Sequence, residues 1–267
     1  MNLGLRQKVV LVTGGARGIG AGISRAFAAE GAQVVILGRN LSDAEVLIHE
    51  ATAANQVVSQ IFTELTDTES VKNAINETVS RLGRIDIIVN NAGVNDAVKI
   101  TDPVEKFEAS LRKNLIPVFS LVHFAYPHLK QSKGNIVNIG SKTPETGQGG
   151  TSGYAASKGG INGLTREWAV DFLKDGIRVN CVVPAEVITP QYDRWLASAP
   201  DPAEALRRLN ETIPLGRRTT TIQEVAEMTV FLASECSSHT TGQIIYVDGG
   251  YVHLDRACTV PVTHLSL

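Results

Sequence analysis

The chain has 267 residues, of which 43% are apolar and 19% charged, with a formal charge of -2. That length suits one large α/β domain or two small ones around a sizeable core, and the near-neutral balance argues against a nucleic-acid or anionic-membrane partner. No apolar run is long enough to span a bilayer, the amino terminus lacks the apolar core of a signal peptide, and Cys181, Cys236 and Cys258 form no C-x-x-C pair. The expectation is a cytoplasmic protein with reduced thiols, no metal and no membrane partner.

Lys8 to Thr13 is a short β-branched run that reads as a buried parallel strand. Gly14-x-x-x-Gly18-x-Gly20 follows, carrying Arg17 and Ile19, and Ala21 to Glu30 has the spacing of an amphipathic helix. Strand, glycine turn and helix make a place for a pyrophosphate, because backbone N–H groups and the helix dipole face the anion. The spacing differs from G-x-G-x-x-G. Gln33 to Leu37 is the next strand, and Gly38 stands where a dinucleotide fold that prefers NAD usually has a carboxylate, followed by Arg39 and Asn40. Arg39 and Arg17, two guanidiniums with no nearby carboxylate, favour NADP(H), with NAD as the alternative. Leu41 to Ala54 reads as a helix and Val57 to Phe62 as a strand. Beyond it lie Glu64, a candidate acceptor for the adenine amine, and Leu65; Thr66 or Asp67 caps a helix to about Leu82.

Ile85 to Asn90 is the fourth strand, with Asn91, Ala92 and Gly93 as a wall of the cofactor cleft. Consecutive asparagines there suggest side chains bonding to backbone across the sheet. A long helix is expected from Pro103 to about Leu129, with polar Asn114 in its middle. Asn135 to Gly140 is the fifth strand, then come Ser141, a polar loop, and a helix to about Lys174. On that helix Tyr154 and Lys158 are four apart and share a face. A free tyrosine, pKa about 10, is a poor base near neutrality; an adjacent ammonium favours the phenolate, letting Tyr154 exchange a proton with an alcohol or carbonyl. The Ser141 hydroxyl could bond the same substrate oxygen. Ile177 to Val183 is the sixth strand. Pro184, Val187 and Thr189, just past it, join Ile19, Asn40, Leu65, Tyr154 and Lys158 as candidate dinucleotide contacts. Residues from about 185 to 214 read as an irregular, mobile lid at the carboxyl end of a strand, where ligands bind in open α/β sheets. A helix, Ile222 to Ala233, and a strand, Gln243 to Val247, precede a tail from about residue 250 to 267. Strands alternating with helices without a linker or repeat make a single doubly wound domain over residues 1–267.

With these residues assembled, the chain resembles the short-chain dehydrogenases/reductases over nearly its whole length. Thr13-Gly14-x-x-x-Gly18-x-Gly20, Asn90-Asn91-Ala92-Gly93, Ser141 and Tyr154-x-x-x-Lys158 match that family in order and spacing. The resemblance implies a Rossmann-like α/β fold with seven parallel strands ordered 3-2-1-4-5-6-7 and helices on both faces. It implies that Tyr154 is the general acid or base, that Lys158 holds the nicotinamide ribose and lowers the Tyr154 pKa, that Ser141 orients the reacting oxygen, and that Asn114 holds a water. It also implies a homotetramer, with helices around Pro103–Leu129 and Gly153–Lys174 as interfaces. Gly140, Glu64, Ala185 and Pro117 depart from the common serine, aspartate, glycine and glycine. A finer resemblance, in Asn91–Asp96, Ser141–Thr143, Thr146–Gly149, Leu164–Trp168, Pro184–Val187 and Gly250–Arg256 among others, is to the bacterial L-fucose dehydrogenases of that family. It implies transfer of hydride from the C1 hydroxyl of an aldose to NADP or NAD, giving a lactone.

A sugar is also suggested by the residues themselves, since polyols are recognised by convergent polar side chains. Asp96, Lys142, Gln148 and Glu186 lie on loops flanking the expected nicotinamide site, and Tyr192 or Trp195 on the lid could cover a pyranose face. Each also has a plain alternative as a loop stabiliser. His253, Asp255 and Arg256 either lock a subunit interface or line a neighbour's site. Two further readings stand beside sugar oxidation: NADPH-dependent reduction of a ketone such as a 3-oxoacyl thioester, and a non-catalytic NADP(H)-sensing protein.

Overall fold

The computed structural model describes residues 2–255, excepting the side chains at 191 and 193–195. Seven strands, β1 (Val9–Thr13), β2 (Gln33–Gly38), β3 (Val57–Phe62), β4 (Ile87–Asn90), β5 (Asn135–Ile139), β6 (Arg178–Pro184) and β7 (Ile244–Val247), form one sheet. Its order is β3-β2-β1-β4-β5-β6-β7, as expected, and each neighbouring pair is parallel. Side chains alternate across such a sheet, so a strand that is apolar throughout must be covered on both faces. Val10, Val12, Val34 and Ile36 pack with Ile23 and Phe27 of α1 (Gly18–Ala29), Leu47 of α2 (Leu41–Ala53) and Val225 of α10 (Ile222–Ala233). Val9, Leu11, Val35 and Leu37 face the other way. They meet Ile75 of α3 (Thr68–Leu82), Leu121 of α5 (Ile116–Ser132) and Ile161 of α7 (Ser152–Asp171).

Chain direction across the sheet reverses between β1 and β4, which opens a crevice at their carboxyl ends. Gly14, Gly38, Asn91, Ser141 and Glu186 all lie at or just past the carboxyl ends of strands, the edge where that crevice opens.

Three expectations need correction. The long helix expected from Pro103 to Leu129 is two helices, α4 (Val104–Asn114) and α5, separated at Leu115. Pro117 accounts for the break, since it has no N–H to give to the preceding turn. Asn114 therefore ends a helix instead of interrupting one. The segment read as an irregular lid contains α8 (Pro190–Ala197) and α9 (Pro202–Glu211). A cap signal for α9 was present: Asp201 accepts a bond from the Glu204 amide, and Pro202 occupies the first turn. A short turn of helix, α6 (Thr143–Thr146), also follows β5 directly. Among the described residues, no helix is long and apolar enough to cross a membrane.

Candidate active site

The glycine turn is built by what its backbone must approach. Gly14 and Gly18 have φ of 62° and 50°, conformations that suit glycine. A Cβ on Gly20 would run into the Gly14 carbonyl and lie 2.6 Å from Asn91 Nδ2. Asn91 Nδ2 in turn donates to the Thr13 carbonyl at 2.9 Å, while Thr13 Oγ1 accepts from the amides of Asn91 and Ala92. These are the cross-sheet bonds expected of Asn91. Asn90 bonds a side chain instead, donating to Asn138 Oδ1 at 2.8 Å. The helix beyond the turn has no side-chain cap and no acidic residue in its first turn. The first-turn N–H groups, Ile19 among them, have no partner in a preceding turn of helix, a chemistry that fits a pyrophosphate.

One end of the crevice, where the adenosine was expected, is lined by Gly14, Ala16, Arg17, Ile36, Gly38, Arg39, Asn40 and Gln60. Here the structure corrects one premise. Neither arginine lacks a carboxylate neighbour: Arg17 pairs with Asp43, and Arg39 Nη1 lies 2.9 Å from Glu64 Oε2. Glu64 also accepts from Thr66 N and Oγ1, which together with Arg39 hold its carboxyl below the usual range. Its oxygens are thus engaged beside Leu65, and Asn40 is engaged as the cap of α2. Asp67, not Thr66, caps α3.

At the other end, Ser141, Tyr154, Lys158 and Asn114 come together. The Ser141 hydroxyl lies 3.0 Å from Thr143 Oγ1, and it is near enough to the half-buried Tyr154 to oppose the rise in the phenol's pKa. Tyr154 and Lys158 share one face of α7, with Lys158 Nζ 5.7 Å from the Tyr154 ring centroid. The buried ammonium donates to the Ile139 carbonyl at 2.7 Å. Asn114 Oδ1 accepts from the Val94 amide at 2.7 Å and Nδ2 donates to the Ser110 carbonyl at 3.0 Å. A Cβ on Gly93 would sit 3.3 Å from Asn114 Oδ1 and 3.4 Å from Lys158 Nζ, so glycine keeps the space between them open.

Proton affinities depart from the expected pattern. Burial raises the Tyr154 pKa, with the Ser141 hydrogen bond opposing it, and lowers that of Lys158 to about 8. Desolvation of the charged form is the largest cause of both shifts. Behind Lys158, burial also pushes the Cys181 thiol up to about 12. Val183 and Cys181 together explain the glycine at 140: a Cβ there would lie 2.8 Å from Val183 Cγ2 and 2.9 Å from the Cys181 sulfur.

Among the candidate sugar contacts, the structure joins some and removes others. Lys142 Nζ lies 2.7 Å from Glu186 Oε1, with both side chains at least nine-tenths buried. The Tyr192 hydroxyl, on α8, donates to Glu186 Oε2, while burial and the Glu186 charge raise its pKa. Tyr251 was not anticipated; its ring lies 4.3 Å from Lys142 Nζ. No local pattern marks it, because it comes from the segment after β7. Asp96 turns instead to α4, accepting from Ser110 Oγ at 2.7 Å and facing Lys113 Nζ at 3.4 Å. Exposed Gln148 accepts from Thr143 Oγ1 at 3.4 Å. The Trp195 side chain and Arg256 lie outside the described residues. His253 packs edge-on against Tyr246. Val187 is buried and pairs with Thr220, and Thr189 stands against Gly18, bringing the chain beyond Pro184 to the glycine turn.

The chain is similar to known proteins over most of its length. A family model described as enoyl-(acyl carrier protein) reductase matches residues 14–252. L-fucose dehydrogenase of Bos taurus is 39% identical over 254 residues, covering 94% of this chain and 92% of that one. The 3-oxoacyl-(acyl-carrier-protein) reductase of Thermotoga maritima is 37% identical over 250 residues, covering 93% and 99%. The crystal structure of Cj0485 dehydrogenase aligns with a TM-score of 0.93 at 40% identity, covering 98% of this chain and 100% of that one. The chain belongs to the short-chain dehydrogenase/reductase family, oxidoreductases that act on small molecules with NAD(P).

Proposed function

We propose that this enzyme is an aldose 1-dehydrogenase of the L-fucose type, oxidising the anomeric hydroxyl to a lactone with NADP(H) as its preferred cofactor and NAD(H) as the alternative. The observation that carries the reading is the buried Lys142–Glu186 pair next to Ser141. An acyl chain or steroid would leave these charged groups facing apolar atoms, at a cost in desolvation without compensation. Identity to the bovine L-fucose dehydrogenase supports the same conclusion.

The uncapped first turn of α1 would hold the pyrophosphate, Arg17 and Arg39 a 2′-phosphate, and Lys158 the nicotinamide ribose. When bound, the nicotinamide supplies the two-electron acceptor. The chain's own groups handle the proton. Ser141 fixes the reacting oxygen, Tyr154 takes its proton, and Lys158 with Asn114 carries the charge change toward solvent. Fixing the hydroxyl between Ser141 and Tyr154 removes the orientational freedom that the reaction would otherwise have to lose.

Initial rates on L-fucose, D-arabinose, L-galactose and a 3-oxoacyl thioester, each with both cofactors, test the proposal. Turnover of the thioester alone, in the reductive direction, would replace it with the ketoreductase reading that the Thermotoga maritima relative supports. We also propose a homotetramer. Half-exposed Ile116 and Phe119 on α5 and exposed Val170 on α7 supply apolar area on the two helices expected to form its interfaces.

A further inference from the structure

We infer that the Lys142–Glu186 pair reads a vicinal diol: Lys142 Nζ donates to one ring hydroxyl while Glu186 accepts from its neighbour, with Tyr192 and Tyr251 as positioning residues. The inference rests on the sugar-oxidising reading of the same site. It deepens that reading by naming the substrate feature that the site selects, adjacent hydroxyls other than the one that reacts.

The argument is one of donor and acceptor capacity. An ammonium carries three donors, and a carboxylate has about four lone-pair positions. Lys142 gives one donor to Glu186 Oε1 and lies over the Tyr251 ring, which accepts a second contact through its π face. Glu186 receives Lys142 on Oε1 and the Tyr192 hydroxyl on Oε2. Donor and acceptor capacity therefore remains on two atoms only 2.7 Å apart. A vicinal diol has the matching property, since adjacent oxygens can each accept and donate. A single hydroxyl can meet both members only by sharing one oxygen between them, whereas a diol gives each member its own, and an apolar substituent satisfies neither.

Placement supports the same ligand. Lys142 is the residue after Ser141, at the end of β5, and Glu186 follows the end of neighbouring β6. Both charged residues therefore leave the carboxyl ends of neighbouring strands, the same edge of the sheet from which Ser141 comes. The pair's supports come from two further segments: Tyr192 from α8 and Tyr251 from the turn after β7. Four separate stretches converge on two charges that a folded chain could stabilise more simply with an apolar pair. The near absence of solvent at both side chains makes any hydrogen bond to a ligand count, because water does not compete freely for the same groups.

The test uses a ligand that cannot react. 1,5-Anhydro-L-fucitol keeps the ring hydroxyls but lacks the anomeric one, and tetrahydropyran keeps the ring alone. Each is titrated calorimetrically into the full chain saturated with reduced nicotinamide cofactor. The expected result is binding of the anhydro sugar at least about tenfold tighter than tetrahydropyran, as hydrogen bonds to charged groups provide. The double variant Lys142→Met/Glu186→Leu, which keeps the volume buried without leaving a lone charge, should lose that preference while binding cofactor as before. Glu186→Gln should weaken the anhydro sugar about tenfold and leave tetrahydropyran unchanged. No preference in the wild type, or an intact preference in the double variant, overturns the inference. L-fucose turnover measured alongside separates the two claims. Polyol binding without aldose oxidation defeats the proposed reaction alone, whereas aldose oxidation without hydroxyl-dependent binding defeats the diol reader alone.

Discussion

Replacing Arg39 with alanine should weaken NADP(H) and leave NAD(H) nearly untouched. Arg39 lines the end of the crevice proposed for the adenosine, but it is paired with Glu64 at 2.9 Å, so the balance between carboxylate and phosphate decides its role. The pair is exposed, at 71% for Arg39 and 32% for Glu64, and exposed ion pairs contribute about 0–1 kcal/mol. Charge-assisted hydrogen bonds contribute about 1.5–3 kcal/mol, so a 2′-phosphate should win the guanidinium. Arg39→Ala then raises the NADP(H) dissociation constant about 10- to 100-fold. Glu64→Gln works in the opposite sense. It removes the competing charge and its repulsion of the phosphate, and should tighten NADP(H) by up to about fivefold. Calorimetric titration of both cofactors at low ionic strength, where screening is weakest, reads both effects. An equal change for the two cofactors, or none for either, would refute the assignment of Arg39 to the phosphate.

Four further outcomes are expected. Tyr154→Phe should lower turnover by about 10²–10⁴-fold, the usual worth of a general acid or base, with cofactor affinity retained in a direct titration. Because burial raises the Tyr154 pKa, the phenolate fraction is small at neutrality; the oxidation rate should climb with pH through and beyond 7 while ketone reduction falls, and a flat oxidation profile from pH 6 to 10 would count against Tyr154 as the base. Lys158 has a folded pKa of about 8 against 10.5 in its unperturbed form, so the unfolded chain binds more protons in that window and stability relative to Lys158→Met should rise with pH between those values; denaturation midpoints across the window test this. Asp86 accepts two bonds from Arg84 and one, at 2.9 Å, from the Val9 amide. Asp86→Ala leaves the buried amide unpaired while Arg84 stays in water, so it should cost about 1–3 kcal/mol in urea unfolding, with cofactor affinity unchanged at the opposite end of the sheet.

Much of the fold was legible because its signals are local. β-Branched runs such as Val9–Thr13 and glycine turns such as Gly14–Gly20 are short-range patterns, and alternating strands and helices leave few ways to close a parallel sheet. The order and spacing of Ser141, Tyr154 and Lys158 were likewise readable along the chain. Helix boundaries were less so: Pro117 breaks the helix at Leu115, and the Asp201–Pro202 cap starts α9 inside a stretch that reads as loop.

What only tertiary structure decided is which charges meet. Arg39 finds Glu64, Arg17 finds Asp43, Lys142 finds Glu186 and lies over Tyr251, and Asp96 turns to Ser110. Each partnership spans separate elements, and sequence neighbours carry no trace of it. Strand register and helix packing bring these groups within hydrogen-bonding range, and the same packing removes the water that would screen them. Burial, equally a product of packing, reverses the expected direction of the Tyr154 shift. The identity of the reactive groups belongs to the sequence; their partners and proton affinities belong to the fold, because distance and desolvation arise only when the elements assemble.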